Sequence, residues 1–171
     1  MNSETNSIPT ILVVDDDPDI LEFINKIVRT QKIKDINFIF ASTGAGAISL
    51  INSQHVDAIV LDIKLPDITG IMVAEKVRES MPNIPIAIFT SYDGDNIKEK
   101  IIEVNAFYWY KLEIMANPRR LMNCFYELLK GKSCVETTIM EELKEMGKDQ
   151  TKRLINLPFP SYCKKRLEII G

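Results

Sequence analysis

Histidine is nearly missing from this chain of 171 residues, in which His55 stands alone. A Ser/His/Asp triad would have to rest on that one residue, which falls just before an apolar run and reads as a polar loop position. Cysteine is scarce as well. Cys124, Cys134 and Cys163 are odd in number and too far apart for metal-type spacing, so reduced thiols are expected. No apolar run approaches the roughly 20 residues of a membrane span, and Met1 to Ser7 lacks the basic and apolar regions of a secretory signal. The expectation is a cytoplasmic protein with no membrane association. A large charge excess is also absent: the net charge is −3, with 26% charged and 46% hydrophobic residues. That balance fits one soluble globular domain with a short appendage, in a chain too short for a second full domain.

What is present is an alternation of short apolar runs with amphipathic stretches. The runs Pro9 to Val14, Ile36 to Ala41, Ala58 to Asp62, Ile86 to Thr90 and Ala106 to Tyr110 read as strands. Between and after them, helical spacing marks five helices: Ile20, Ile24 and Ile27; Ala47, Leu50 and Ile51; Ala74, Val77 and Met81; Ile97, Ile101 and Val104; Leu121, Phe125 and Leu128. Asp17 before Pro18 is an expected helix cap, Thr69 another, and Gly131 a helix stop after a fifth helix from Pro118 to Lys130. Five strands alternating with five helices predict an α/β fold with a doubly wound, flavodoxin-like parallel sheet. In that architecture the carboxyl ends of all strands share one rim, where ligands bind.

The rim would gather Asp15 and Asp16 from strand 1, Asp62 from strand 3, Thr90 from strand 4 and Lys111 from strand 5. Three carboxylates side by side repel one another and invite a hard cation with oxygen ligands, Mg²⁺ being the usual choice. Asp62 could then attack a phosphoryl group, with Lys111 and the Thr90 hydroxyl meeting the phosphoryl oxygens. Pro66 and Gly70 stiffen the loop that follows Asp62.

These residues carry a family resemblance. Val13-Val14-Asp15-Asp16-Asp17-Pro18, Leu61-Asp62 with Pro66 and Gly70 four and eight residues on, Phe89-Thr90-Ser91, and Tyr108 with Lys111 resemble the receiver domain of two-component response regulators, over residues 8–130. The resemblance implies the strand order 2-1-3-4-5 and a non-enzymatic phosphoprotein with Asp62 as phosphoacceptor. It implies Mg²⁺ held by Asp15, Asp16, Asp62 and the backbone carbonyl of Lys64, and phosphoryl binding by Thr90 and Lys111. Tyr108 would be the aromatic that rotates inward when Thr90 moves, changing a surface made by helix 4, strand 5 and helix 5 that meets a downstream partner. Lys64 and Tyr92 match positions that tune dephosphorylation. The donor would be a sensor histidine kinase or a phosphotransfer protein. Asn105 stands where a glycine is frequent in the family, and asparagine is the next best residue for a left-handed turn.

Residues 132–171 carry eight Lys or Arg against six Asp or Glu, leaving thirteen against eighteen of the totals of 21 and 24 for the rest. Within this extension, Thr138 and Glu141 read as a capping box before a short amphipathic helix with Ile139, Leu143 and Met146 on one face. No complete output domain is recognised in residues 131–171, and direct DNA binding is not expected. Packing on the receiver, self-association into a homodimer and contact with a partner protein all stay open for the extension. Two other readings are a phosphorylation-independent interaction module and a haloacid dehalogenase-like phosphatase with Asp15 as nucleophile and Asp17 as acid. The second leaves the Asp62, Pro66 and Gly70 pattern unexplained.

Overall fold

A computed structural model describes residues 7–92 and 95–132. The short helix expected around Thr138 to Met146 lies outside the described residues.

Five strands, β1 (Thr10–Val14), β2 (Asn37–Ala41), β3 (Ala58–Leu61), β4 (Ile86–Thr90) and β5 (Phe107–Tyr110), form one parallel sheet in the order β2-β1-β3-β4-β5. The helices are α1 (Pro18–Thr30), α2 (Gly44–Ser53), α3 (Gly70–Ser80), α4 (Asp95–Glu103), α5 (Lys111–Met115) and α6 (Pro118–Leu129). The fold class is the one the sequence implies, with one change. Lys111 does not close the fifth strand but opens a five-residue helix, and the expected fifth helix is α6.

Local chemistry sets the helix starts. Asp17 accepts from the Asp19 amide and precedes Pro18, Thr69 accepts from Met72, and Asn117 accepts from Arg119 and Arg120 ahead of Pro118. Gly131 (φ 66°) ends α6, and its amide donates to Leu128. Asn105 takes the left-handed conformation at φ 53°, as its place at the end of α4 anticipates.

Alternation along the strands sends side chains into two apolar layers. Leu12, Val14, Ile59, Leu61, Ile88 and Tyr108 pack with α2, α3 and α4. On the other face, Ile11, Val13, Val60, Phe89 and Trp109 pack with α1, α5 and α6. Trp109 is fully buried and meets Phe89 and Phe125 edge-on, with ring centroids 6.4 and 6.0 Å away. Cys124 lies in the same layer and is fully buried.

Arg78 has no counterpart in the sequence reading. From α3, its guanidinium donates to Val104 O (2.8 Å), Asn105 O (2.8 Å), Ile84 O (2.6 Å) and Met81 O (3.3 Å), tying the end of α4 to the loop that follows α3. A lysine ammonium cannot span that fan of acceptors. Arg78→Lys is expected to lower the unfolding free energy by about 2 kcal/mol, read by urea denaturation.

Candidate functional site

The sheet register builds the site. Val14 pairs with Leu61, so the next residues, Asp15 and Asp62, leave adjacent strands side by side. The Asp62 amide donates to Val14 O at 2.9 Å and the Asp15 amide to Ala41 O at 3.1 Å, which holds both residues on the sheet. Thr90 pairs with Tyr110, which places Lys111 one residue past the end of the β4–β5 ladder. Asp15, Asp62, Thr90 and Lys111 are the buried polar or charged residues among those described, while Asp16 is exposed.

The Lys111 ammonium joins the two strands. It lies 2.6 Å from Asp15 Oδ2 and 3.0 Å from Asp62 Oδ2, and sits 5.7 Å from the centroid of the Phe89 ring. Burial alone would lower the Lys111 pKa, but the two carboxylates prevail and hold it above the usual lysine value. Asp15 is raised above the usual carboxylate value because its burial outweighs the pull of Lys111. The remaining oxygens of the pair are used locally. Asp62 Oδ1 accepts from the Ile63 amide at 2.8 Å, and Asp15 Oδ1 accepts from the Asp17 amide at 3.1 Å.

One carboxylate oxygen from each of Asp15, Asp16 and Asp62 falls within 4.8 Å of the others. Three carboxylates this close together can share one hard cation with oxygen ligands, such as Mg²⁺. Asp15 Oδ2 is fully buried and makes no hydrogen bond of good geometry, its contact being the ion pair with Lys111. An oxygen in that condition suits a second cation.

Around this centre lie the other residues singled out from the sequence. Thr90 is buried, and its hydroxyl accepts from the Tyr92 amide at 3.2 Å. Tyr108 is buried, at 5% exposure, and its hydroxyl donates to Tyr92 O at 3.4 Å. Lys64 and Tyr92 meet, with the ammonium 5.3 Å from the ring centroid. Asp15 is poorly placed as a nucleophile because it is wholly buried against Lys111, and Asp17 is committed to capping α1.

Asp67 is a residue that sequence reasoning missed. Its carboxylate receives the Gly44 amide at 2.9 Å and the Ala45 amide at 2.8 Å, and these bonds hold its pKa below the usual carboxylate value.

Comparison with known proteins gives a consistent picture. The family model of the response regulator receiver domain matches residues 11–111. A probable transcriptional regulatory protein TcrX of Mycobacterium tuberculosis is 33% identical over 97 residues, which are 57% of this chain and 39% of that protein. A cyclic di-GMP phosphodiesterase of Thermotoga maritima is 32% identical over 97 residues, 57% of this chain and 25% of that protein. The chain thus spans well under half the length of these two relatives. A crystal structure of a response regulator receiver domain protein from Methanospirillum hungatei superposes with a TM-score of 0.65 at 27% identity, covering 73% of this chain and 96% of that one.

Proposed function

The chain belongs to the response regulator receiver domain family, and we propose that Asp62 is the residue on which it accepts a phosphoryl group. The observation that carries this reading is the Lys111 ammonium bridging Asp15 and Asp62 on neighbouring strands, with Asp16 alongside. A carboxylate nucleophile, a buried cation and an acidic pair able to hold Mg²⁺ are together what phosphoryl transfer asks of a protein, since positioning and charge supply most of the catalysis.

Residues 8–130 would act as the receiver unit. A phosphohistidine of a sensor kinase or phosphotransfer protein is the donor. An Asp62 oxygen attacks phosphorus, the phosphorus–nitrogen bond breaks, and its electron pair stays with the imidazole. Lys111 transfers its attention from the Asp62 carboxylate to the phosphoryl oxygens, and Thr90 turns its hydroxyl proton toward them. Asp15, Asp16, Asp62 and the Lys64 carbonyl would hold a Mg²⁺ ion, whose charge would offset that of the phosphoryl oxygens. The protein itself turns nothing over. It is a signalling module rather than an enzyme.

Thr90, Tyr92 and Tyr108 then relay the event. Because the Thr90 hydroxyl and the Tyr108 hydroxyl both bond Tyr92, a shift of Thr90 is felt at the β5 aromatic and on the face formed by α4, β5 and α6, where a downstream protein would dock. Lys64 and Tyr92, stacked at the rim, would set how long the phosphoryl lasts. No helix among the described residues is long and apolar enough to cross a membrane, and cytoplasmic action with a protein partner, without direct DNA contact, is the setting we infer.

Intact mass after incubation with Mg²⁺ and acetyl phosphate tests the reading. Wild type is expected to gain one phosphoryl group in a Mg²⁺-dependent manner, and Asp62→Asn to gain none. An adduct that persists in Asp62→Asn would move the acceptor elsewhere. Absence of both adduct and Mg²⁺ binding in wild type would favour an interaction module that does not use phosphorylation.

A further inference from the structure

We propose that Asp67 is a positioning residue for the phosphoacceptor loop, which it anchors to the first turn of α2. This rests on the receiver reading, and it assigns a task to a side chain that neither the acidic cluster nor the switch residues account for.

The loop from Asp62 to Thr69 is fastened at its base. Gly70 N donates to Ile63 O at 2.8 Å, Ile63 N donates to Asp62 Oδ1 at 2.8 Å, and Gly70 lies against the Asp62 carbonyl. Those bonds fix Asp62 and the start of α3. Lys64 and Leu65 lie beyond them, toward the tip, so the base alone leaves the direction of the Lys64 carbonyl open. The tip is where Asp67 acts. Its two oxygens take one amide each, Gly44 N on Oδ1 and Ala45 N on Oδ2, across 23 and 22 residues of chain. Beside it, the Ile68 side chain rests on Gly44, where any Cβ would collide with it and would lie 2.9 Å from Val73 Cγ2. The bare glycine admits the loop, and the carboxylate locks it there.

The electrical match is specific. The first turn of α2 holds no acidic residue of its own, and the hydroxyl of its N-cap Thr43 accepts from the Gly46 amide at 3.0 Å. Asp67 therefore brings from another element the negative charge that a helix N-terminus favours, and satisfies two amides that Thr43 does not reach. With base and tip both tied, the stretch carrying Lys64 spans two fixed points, and the direction of its backbone carbonyl is set before a cation binds. Supporting groups of this kind commonly change metal affinity by about 10- to 100-fold when removed.

The experiment compares wild type with Asp67→Ala, Asp67→Asn and Thr43→Ala in the full chain. Thr43→Ala weakens the α2 cap without touching the loop. Residue-resolved hydrogen exchange is followed at the Gly70 and Ile63 amides, and phosphoryl adduct formation from acetyl phosphate is followed against Mg²⁺ concentration. Asp67→Ala is expected to speed exchange at Gly70 and to raise the Mg²⁺ concentration for half-maximal adduct formation by about tenfold, with the rate at saturating Mg²⁺ near wild type. Asp67→Asn, which keeps one acceptor oxygen, should fall between, and Thr43→Ala should leave both readouts at wild-type values. The proposal is overturned if Asp67→Ala exposes only the α2 amides, or if Thr43→Ala moves Gly70 exchange and the Mg²⁺ dependence as far. A wild type that forms no adduct would instead sink the receiver reading, while Gly70 exchange would still decide whether Asp67 holds the loop.

Discussion

Gly70→Ala is expected to remove at least about 4 kcal/mol of stability, enough to leave a domain of this size largely unfolded or barely folded. A Cβ at this position would collide with the Asp62 carbonyl oxygen and would lie 2.9 Å from the carbonyl carbon and 3.1 Å from Leu61 Cγ. The cost is steric, since Gly70 does not have the left-handed backbone that glycine alone favours. Relief could come from either side, and each is blocked. Asp62 is held to β1 by its amide bond to Val14 O, and moving α3 outward would lift Ile71, Val73, Ala74 and Val77 from the core. Overpacking against backbone on both sides exceeds the usual penalty of about 1–3 kcal/mol for a core that can give way. Gly46→Ala offers a contrast, because its Cβ would meet only the Thr43 hydroxyl at 2.9 Å and Ala41 Cβ at 3.9 Å. Its cost should not exceed the roughly 1 kcal/mol of a helix cap. Urea denaturation of the two variants checks the pair, and a Gly70→Ala loss below about 1 kcal/mol would show that the loop and α3 are not locked together as described.

The alternation of strands and helices was readable because each strand is a short apolar run bounded by polar residues and each helix carries its apolar residues at helical spacing, whereas the strand order followed from the family resemblance. Asp15 and Asp62 were readable for the same reason, as acids that terminate such runs. The residues that escaped notice are those whose partners are backbone atoms far along the chain. Arg78 binds carbonyls up to 27 residues away, and Asp67 binds amides 22 and 23 residues away, and nothing in a local pattern marks either. Helix α5 escaped because five residues, Lys111–Met115, are too few for periodicity, and Tyr110 gives it no side-chain cap. The start of the next helix was legible in Pro118.

Lys111→Met should cost about 3 kcal/mol near neutral pH, as expected when one partner of a buried ion pair is removed and the other charges stay behind. The variant keeps most of the packing volume, so the loss reports charge rather than a cavity. Its pH dependence should identify the cause. Lys111 has a raised pKa in the folded state, so its contribution is fully present below the usual lysine value of 10.5 and is lost as pH rises through the folded value. Wild type should therefore lose this share of its stability only in strongly alkaline solution. Asp15 also has a raised folded pKa, through burial, so its preference for folding is fully present below the usual aspartate value of 3.8 and is lost as pH rises through the folded value. At neutral pH the carboxylate sits on its costly side, and Lys111 offsets part of that cost. Without the ammonium the Asp15 pKa climbs further, and acidification toward that higher value should return part of the missing stability to Lys111→Met while doing less for wild type. Mg²⁺ should act in the same direction at neutral pH. It would meet Asp15 and Asp62 with no competing ammonium, and at one hundred times its dissociation constant a ligand adds about 2.7 kcal/mol. Thermal or urea unfolding with and without Mg²⁺ across pH measures all three effects. A variant as stable as wild type at neutral pH, with an unchanged pH profile, would mean that the two carboxylates do not depend on Lys111 for their place in the fold.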